Sequence, residues 1–145
     1  MPNLTKSSYG TVGVSALILA LLCGPFANSG WASDWTRFRG PNGTGQSSDT
    51  GIPVEIGETE NRLWKIELPG SGNSSPIAAN GRIYLQTAST DGKDRSLLSL
   101  DIADGHTLWS RAAPSGTGKT HPKNTLASCT GAVDRERVYM PFWNG

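Results

Sequence analysis

The sequence contains few of the residues that cross-link chains or bind metals: two cysteines and two histidines among 145 residues. Cys23 lies in an apolar leader, so removal of the leader would leave Cys129 alone and exclude an internal disulfide. His106 and His121 lie 15 positions apart, with no cysteine or carboxylate at ligand spacing. These absences exclude a disulfide scaffold for the mature chain and predict no metal site.

An excess of charge of either sign is also missing. The chain has 13 lysines and arginines against 12 aspartates and glutamates, a formal net charge of +1 at pH 7. Loss of Lys6 with the leader would leave 12 basic (13 − 1) and 12 acidic residues. Such a balance gives no electrostatic attraction to nucleic acid or to an anionic membrane surface, so neither is predicted as a partner.

Residues 1–33 have the organisation of a secretory signal peptide. One basic residue, Lys6, precedes an apolar run at residues 12–26, and small residues at 27–32 offer two cleavage positions. The apolar run is shorter than the roughly 20 residues that a membrane-spanning helix needs. We therefore predict export to the periplasm or to the extracellular space.

Two alternatives would keep the leader on a membrane. One is an uncleaved anchor formed by the same apolar run. The other is a lipid on Cys23, which Leu22 disfavours because that processing requires a small residue before the cysteine. Membrane association is predicted only through an uncleaved or lipidated N-terminus.

The mature chain has no sustained helical period, and short segments rich in β-branched and aromatic residues take its place. Turn dipeptides separate these segments: Asn80-Gly81, Asp91-Gly92 and Asp104-Gly105. Asn-Gly and Asp-Gly favour tight hairpins because both central residues adopt positive φ. The predicted fold class is all-β with antiparallel strands. Four segments are predicted as strands: 63–68, 82–87, 96–102 and 107–112.

Two partial repeats indicate how the strands are grouped. Leu63-Trp64 recurs as Leu108-Trp109 at an offset of 45, and "NGRIYL" at 80–85 recurs as "DRERVYM" at 134–140 with an offset of 55 between the tyrosines. The first offset is a typical length for a propeller blade, and the second exceeds it by ten residues. The repeats predict four-stranded blades arranged around an axis.

The segment "LLSLDIADGHTLWS" at 97–110 resembles the tryptophan motif of the PQQ-like (pyrroloquinoline-quinone-type) β-propeller repeat family. Asp101, Gly105 and Trp109 stand at the spacing of that motif, while Ser99 and Asp104 replace the usual alanine and threonine. The segment "DWTRFRGPNGTG" at 34–45 is similar to the start of exported members of the family. The resemblance covers essentially all of residues 34–145.

The resemblance implies a domain organisation. It comprises a signal peptide at 1–33, an N-terminal extended segment at 34–62 and PQQ-like repeats at 63–145. Members of this family usually have seven or eight blades, whereas residues 63–145 have room for about one and a half to two. We therefore expect an incomplete propeller from a truncated member of the family.

A phosphate-binding loop is the main competing interpretation. Ala113, four further residues and Gly118-Lys119-Thr120 fit the loose form of that motif. Pro122 and the absence of an apolar helical stripe argue against the helix that such a loop needs. The loop also lies in the ten-residue surplus between the repeats. We predict a connection between two blades and no nucleotide.

No side chain is assigned a catalytic, cofactor-binding or metal-binding role. Ser74, Ser75 and Ser128 lack an assignable base and acid, so they are interpreted as polar residues at the starts of strands. Cys129 is interpreted as a small buried residue. The four tryptophans considered are expected to pack between blades, with a stacking platform for a quinone as the alternative: Trp35, Trp64, Trp109 and Trp143.

The resemblance implies two functions of different classes. The first, which we favour, is a non-catalytic scaffold or protein-interaction role for an exported protein whose partner is unknown. The alternative is the N-terminal part of a quinoprotein dehydrogenase, which would use PQQ and calcium. The cofactor ligands, catalytic aspartate and adjacent cysteine pair of such enzymes cannot be placed in this sequence.

Overall fold

Four antiparallel strands form the main sheet, and two further strands form a separate small sheet. The structure, a computed structural model, describes residues 32–116 and 118–143. No helix occurs in these residues, so none there is long and apolar enough to cross a bilayer. All but the last two residues of the predicted signal peptide lie outside the described ranges. The strands are β1 (Ile77–Ala79), β2 (Arg82–Ala88), β3 (Arg95–Asp101), β4 (Thr107–Ala113), β5 (Ala132–Val133) and β6 (Val138–Tyr139).

Strands β1 to β4 follow one another in the sheet in chain order, and we call them blade 1. The connection from β1 to β2 is the predicted Asn80-Gly81 turn, with φ of 52° and 71°. Gly105, with φ of 77°, lies in the turn between β3 and β4. Its backbone N–H donates to the carbonyl of Asp101. The prediction of an all-β fold with a four-stranded antiparallel blade is confirmed.

One face of blade 1 carries an apolar cluster. Leu85, Leu98 and Leu100 are buried there, with Ile66 and Ile83 packed against them. Leu85 is directly opposite Leu98, and Ile83 is opposite Leu100, so the register places all four on the same face. Residues 84–88 of β2 are buried without alternation, so both faces of this strand are covered in its second half.

The opposite face of blade 1 is turned towards the loop and strands that follow. Tyr84, Ser99 and Trp109 lie on it in a row across three neighbouring strands. Ala88 on the same face forms a second cluster with Leu126 and Ala127. The segment after blade 1 therefore folds back over this face.

Strands β5 and β6, which we call hairpin 2, repeat the inner half of blade 1. Ala132 is opposite Tyr139 in hairpin 2, as Ile77 is opposite Tyr84 in blade 1. Both pairs are related by the predicted offset of 55. Hairpin 2 therefore corresponds to the first two strands of a second blade.

The turn of hairpin 2 differs chemically from the turn it repeats. Arg135 and Glu136 occupy its centre, and neither has positive φ, in contrast to Asn80-Gly81. The carboxylate of Asp134 accepts hydrogen bonds from the N–H groups of Glu136 and Arg137, both at 2.7 Å. An aspartate side chain thus supports the reversal that glycine supports in blade 1.

The strand predicted at 63–68 is wrong: the segment is extended but belongs to no sheet. Trp64 and Ile66 face blade 1, while the alternate residues Leu63 and Lys65 are exposed. The alternation that suggested a strand reflects side-chain packing on the blade. No neighbouring strand in the described residues provides a backbone partner, so the ladder is not formed.

The N-terminal segment contacts both sheets through its backbone. Trp35 exchanges hydrogen bonds with Ala78 of β1, at 2.7 and 2.9 Å. The carbonyl of Thr36 accepts a bond of 2.9 Å from Val133 of β5, and Arg37 bridges to Ala132. Residues 35–37 therefore lie between the innermost strands of blade 1 and hairpin 2.

Candidate interaction surface

The Gly118-Lys119-Thr120 motif lies in an irregular loop. β4 ends at Ala113, and residues 118–131 contain no helix. The backbone N–H of Gly116 donates to the carbonyl of Gly92 at 3.0 Å, which ties the loop to the turn between β2 and β3. A phosphate-binding loop needs the free N–H groups of a following helix, and residues 118–131 do not provide them.

Ser74, Ser75 and Ser128, the possible nucleophiles, form hydrogen bonds with groups of this same loop. The N–H groups of Ser74 and Ser75 donate to the carbonyl of Ala127 and to the hydroxyl of Thr130, at 3.1 and 2.9 Å. The Ser128 hydroxyl donates to the carbonyl of Thr125 at 2.8 Å. In the described residues none of these hydroxyls has a histidine partner, so the geometry of a triad is not assembled.

The histidines and the cysteine are not brought together. His106 is exposed, and its Nδ1 lies 2.6 Å from Oδ1 of Asp104. His121 accepts a bond of 3.2 Å from the N–H of Lys123. Cys129 is half-buried. Within residues 32–116 and 118–143 no three His, Cys, Asp or Glu side chains are grouped closely enough to hold a metal ion.

Aspartates stabilise several exposed turns, and the hydrogen bonds that they accept there lower the pKa values of their own carboxyl groups. The Ser89 hydroxyl and the N–H of Lys93 bind the carboxylate of Asp91 and lower its pKa to about 2. Bonds from His106 lower the pKa of Asp104, and bonds from Glu136 and Arg137 lower that of Asp134. These carboxylates are exposed and act within their own turns, which makes them structural groups.

We expect acid to weaken the turn that Asp91 supports. The folded pKa is about 2 and the ordinary value is 3.8, so the contribution is complete above about pH 4 and is lost as the pH falls towards 2. Urea unfolding from pH 5 to pH 2 should show a steeper loss of midpoint for the parent than for Asp91→Asn. The two curves should converge near pH 2. Parallel curves would contradict a role for the Asp91 charge.

Trp64 docks on the turn between β3 and β4 of blade 1. Its Nε1–H donates to the carbonyl of Ile102 at 3.0 Å. A Cβ on Gly105 would lie 2.7 Å from Cε3 of the Trp64 ring, so the ring rests directly on the glycine. The Asp101–Gly105 part of the sequence motif therefore forms the surface on which Trp64, a residue that precedes the blade, packs.

The other three tryptophans have different surroundings. The Trp35 ring packs on Gly40, where a Cβ would lie 2.8 Å from the ring. Trp109 is half-buried, with its ring centroid 6.0 Å from that of Tyr84. Trp143 is 51% exposed. Trp64 thus packs on a turn of blade 1, and Trp109 contacts Tyr84 within blade 1. Trp35 packs within its own loop and Trp143 is largely exposed, so these contacts are not the expected packing between blades.

Arg95, which the sequence interpretation did not single out, is only 2% exposed. Its guanidinium donates to the carbonyl of Pro114, at 2.7 Å from Nε, and to that of Trp143, at 2.6 Å from Nη1. Its Cζ lies 5.1 Å from the ring centroid of Phe142. Hydrogen bonds from Arg95 therefore link both the loop after blade 1 and the segment after β6 to the blade. An arginine directly after a turn is ordinary in sequence, so no local signal identifies it.

Gln86 makes a second connection across the same face. It is 1% exposed, and its amide donates to the carbonyls of Cys129 and Pro141, the latter at 3.1 Å. These carbonyls flank hairpin 2 on either side. Gln86 Oε1 and the hydroxyl of the buried Ser99 have no partner in the described residues. Blade 1 thus holds hairpin 2 through side-chain to backbone bonds.

An uncovered apolar row lies in the N-terminal segment. Ile52, Val54 and Ile56 occupy alternate positions in a segment without regular secondary structure that bends at Val54, and they are 61%, 99% and 73% exposed. Leu63, further along, is 91% exposed. Exposed aliphatic side chains this close together in the chain are a candidate for a surface that binds another protein. We call Ile52, Val54 and Ile56 the apolar row.

Comparison with known proteins identifies a family for the chain. A PQQ-like repeat family model, described as outer membrane protein assembly factor BamB, matches residues 46–145. The match includes blade 1 and hairpin 2 and begins after the "FRGPNG" segment. No curated protein and no solved structure matches the chain.

Proposed function

The chain belongs to the PQQ-like β-propeller repeat family, and from this premise we propose that it is an exported, non-catalytic scaffold that binds a protein partner. The observation that carries the proposal is the exposed apolar row at Ile52, Val54 and Ile56. The description of the matching family, an outer membrane protein assembly factor, supports a role in the assembly of other proteins. The signal peptide predicted at 1–33 supports export to the periplasm or the extracellular space.

The quinoprotein dehydrogenase alternative requires residues that hold PQQ and calcium. Calcium takes six to eight oxygen ligands, largely carboxylates and carbonyls. The carboxylates of Asp91, Asp104 and Asp134 are bound within separate turns, and no acidic group of three is present in the described ranges. These residues do not fit a calcium site, and no reaction step is assigned to the cofactor.

Export and partner binding can be tested in one cellular experiment. A photo-crosslinking amino acid is placed at Val54 of the full chain, and a matched control carries it at the exposed Lys93 of blade 1. A reporter that is active only outside the cytoplasm is fused to the C-terminus. We expect reporter activity that depends on residues 1–33 and a crosslinked product of defined size from Val54 alone.

The same experiment has a variant that tests the apolar row itself. Replacement of Ile52 and Ile56 by serine should remove the Val54 product, because the aliphatic contact area is lost. Loss of reporter activity on deletion of residues 1–33 would support the export signal. Equal products from Val54 and Lys93, or dye reduction with saturable PQQ binding in the presence of calcium, would contradict the scaffold proposal.

A further inference from the structure

An open cleft of about 290 Å³ lies between blade 1 and hairpin 2. Asn80, Arg82 and Tyr84 form the wall on the blade 1 side. The other wall is formed by the strand residues Val133 and Val138 and by the four turn residues between them, Asp134, Arg135, Glu136 and Arg137. Arg82 and Tyr84 are two residues apart in β2 and therefore share the face turned towards hairpin 2. We call this space the arginine cleft.

None of the three guanidinium groups of the cleft has a carboxylate oxygen within 4 Å in the described residues, although the charge of Arg137 contributes to the lowered pKa of Asp134. The ion pairs in the described residues are Lys93 with Asp91 and His106 with Asp104, and neither involves Arg82, Arg135 or Arg137. An unpaired guanidinium presents a planar set of donors suited to bidentate binding of a carboxylate. The cleft thus has donors available on both walls.

Two acidic residues, Asp134 and Glu136, line the cleft beside the arginines, and the carboxylate of Asp134 is already hydrogen-bonded within the protein. Asp134 accepts bonds from Glu136 and Arg137 and a bond of 2.8 Å from the Tyr139 hydroxyl. Asp34 accepts from the N–H of Asn80 at 3.2 Å. Asp101 is opposite Arg82 in the sheet, and its carboxylate accepts from the N–H of Ala103 at 2.8 Å. Glu136 remains as an exposed carboxylate on the hairpin side.

The cleft also contains apolar surface. Tyr84 is buried, and Val133 and Val138 are half-buried, so their side chains provide apolar contact area beside the arginines. A volume of about 290 Å³ has room for a few side chains of an extended chain but little more. A ligand with carboxylates and small aliphatic groups would satisfy both kinds of surface.

We propose that the arginine cleft binds an extended protein segment in which acidic and aliphatic residues alternate. The proposal rests on the proposed scaffold function and names the chemistry of a partner for it. Carboxylates of the segment pair with Arg135 and Arg137 on one wall and with Arg82 on the other. Aliphatic side chains between them contact Val133 and Val138. Affinity from exposed charge pairs falls as the salt concentration rises.

The test uses the full chain and a short fluorescein-labelled peptide of alternating glutamate and valine. Fluorescence anisotropy should show saturable binding that weakens as salt is added. Peptides with lysine or serine in place of glutamate should not bind. The double variant Arg135→Glu/Arg137→Glu should weaken binding by about tenfold or more, because two attractive contacts become repulsive. Arg62→Glu, a change at an exposed arginine outside the cleft, should leave affinity unchanged.

The second variant is Arg82→Gln, on the opposite wall, and it should weaken peptide binding by several-fold. This variant keeps the test decisive if the double variant unfolds. Equal binding of the lysine peptide, or full affinity of both cleft variants, would overturn the proposal. Absence of peptide binding would also overturn it. A further outcome is that the chain does not bind the peptide but self-associates, and that the cleft variants abolish this self-association. The partner would then be a second copy of the chain, whose residues 52–60 combine aliphatic and acidic side chains.

The outcome is separable from the test of the proposed function. The crosslinking position Val54 does not line the arginine cleft, so the cleft variants are expected to leave its product unchanged. Failure of the peptide to bind with an intact Val54 product would remove only the cleft proposal. Loss of the Val54 product with intact peptide binding would remove only the role of the apolar row.

Discussion

Replacement of Gly105 by alanine is expected to destabilise the protein by about 3 kcal/mol, because two costs coincide at this position. The backbone φ of 77° lies in the left-handed region, which strains any residue with a Cβ. The new Cβ would also lie 2.7 Å from the Trp64 ring, so the indole must move off the turn and its bond to Ile102 is weakened. The measurement is the free energy of unfolding in urea.

Gly81→Ala is the matched control for this effect. Gly81 has a similar φ of 71°, but nothing lies within 4 Å of its Cβ position. Only the conformational strain applies there, about 1 kcal/mol. Equal losses for the two variants would contradict the docking of Trp64 on Gly105.

A double-mutant cycle with Trp64→Ala isolates the contact itself. Without the indole, Gly105→Ala should cost about as much as Gly81→Ala, which corresponds to a coupling energy of about 2 kcal/mol. Additive losses would mean that Trp64 and Gly105 contribute independently. The cycle also reports whether residues 63–68 are held on blade 1 in solution.

Arg95→Met is expected to cost about 3 kcal/mol of unfolding free energy. The substitution keeps an aliphatic chain of similar length but removes every donor, so the carbonyls of Pro114 and Trp143 lose a charged hydrogen-bond partner. The interaction with the Phe142 ring is lost as well. Amide hydrogen exchange should accelerate in the loop after β4 and in hairpin 2 before it does in β2 and β3.

Arg62→Met serves as the control because Arg62 is exposed and forms no hydrogen bond through its side chain in the described residues. Its change in unfolding free energy should stay within about 0.5 kcal/mol. Arg95→Lys should recover part of the loss, since an ammonium group donates to carbonyls but cannot reach both in the planar geometry of a guanidinium. If Arg95→Met lowers the unfolding free energy no more than Arg62→Met does, the role of Arg95 in linking the following segments to blade 1 is contradicted.

Blade 1 follows closely from local sequence signals. The Asn80-Gly81 turn is where its dipeptide predicts a tight hairpin, and both of its residues have positive φ. The connections containing Asp91-Gly92 and Asp104-Gly105 are also at the predicted places, but they are longer and only their glycines have positive φ. Strands β2, β3 and β4 begin and end within about a residue of the predicted segments. Differences of this size are within the usual uncertainty of element boundaries. The repeat offset of 55 correctly equates Tyr84 with Tyr139.

The features that join blade 1 to its surroundings did not follow from the sequence. Arg95 contacts residues 19 and 48 positions away, and Gln86 contacts residues 43 and 55 positions away. Neither residue differs locally from an ordinary polar residue in a strand. Residues 63–68 were predicted as a strand because alternation is the same whether the backbone is paired in a sheet or only packed on one.

The sequence by itself therefore determined the fold class, the turns, the antiparallel blade and the family, all of which depend on short-range patterns of apolar and turn-forming residues. The tertiary structure decided which buried polar groups connect the elements and where arginines from β2 and hairpin 2 form one cleft. Arg82 and Arg135 are far apart in the chain, and only the packing of hairpin 2 against blade 1 brings them to the same cleft. Such proximity is a property of the folded chain, since no local interaction encodes it.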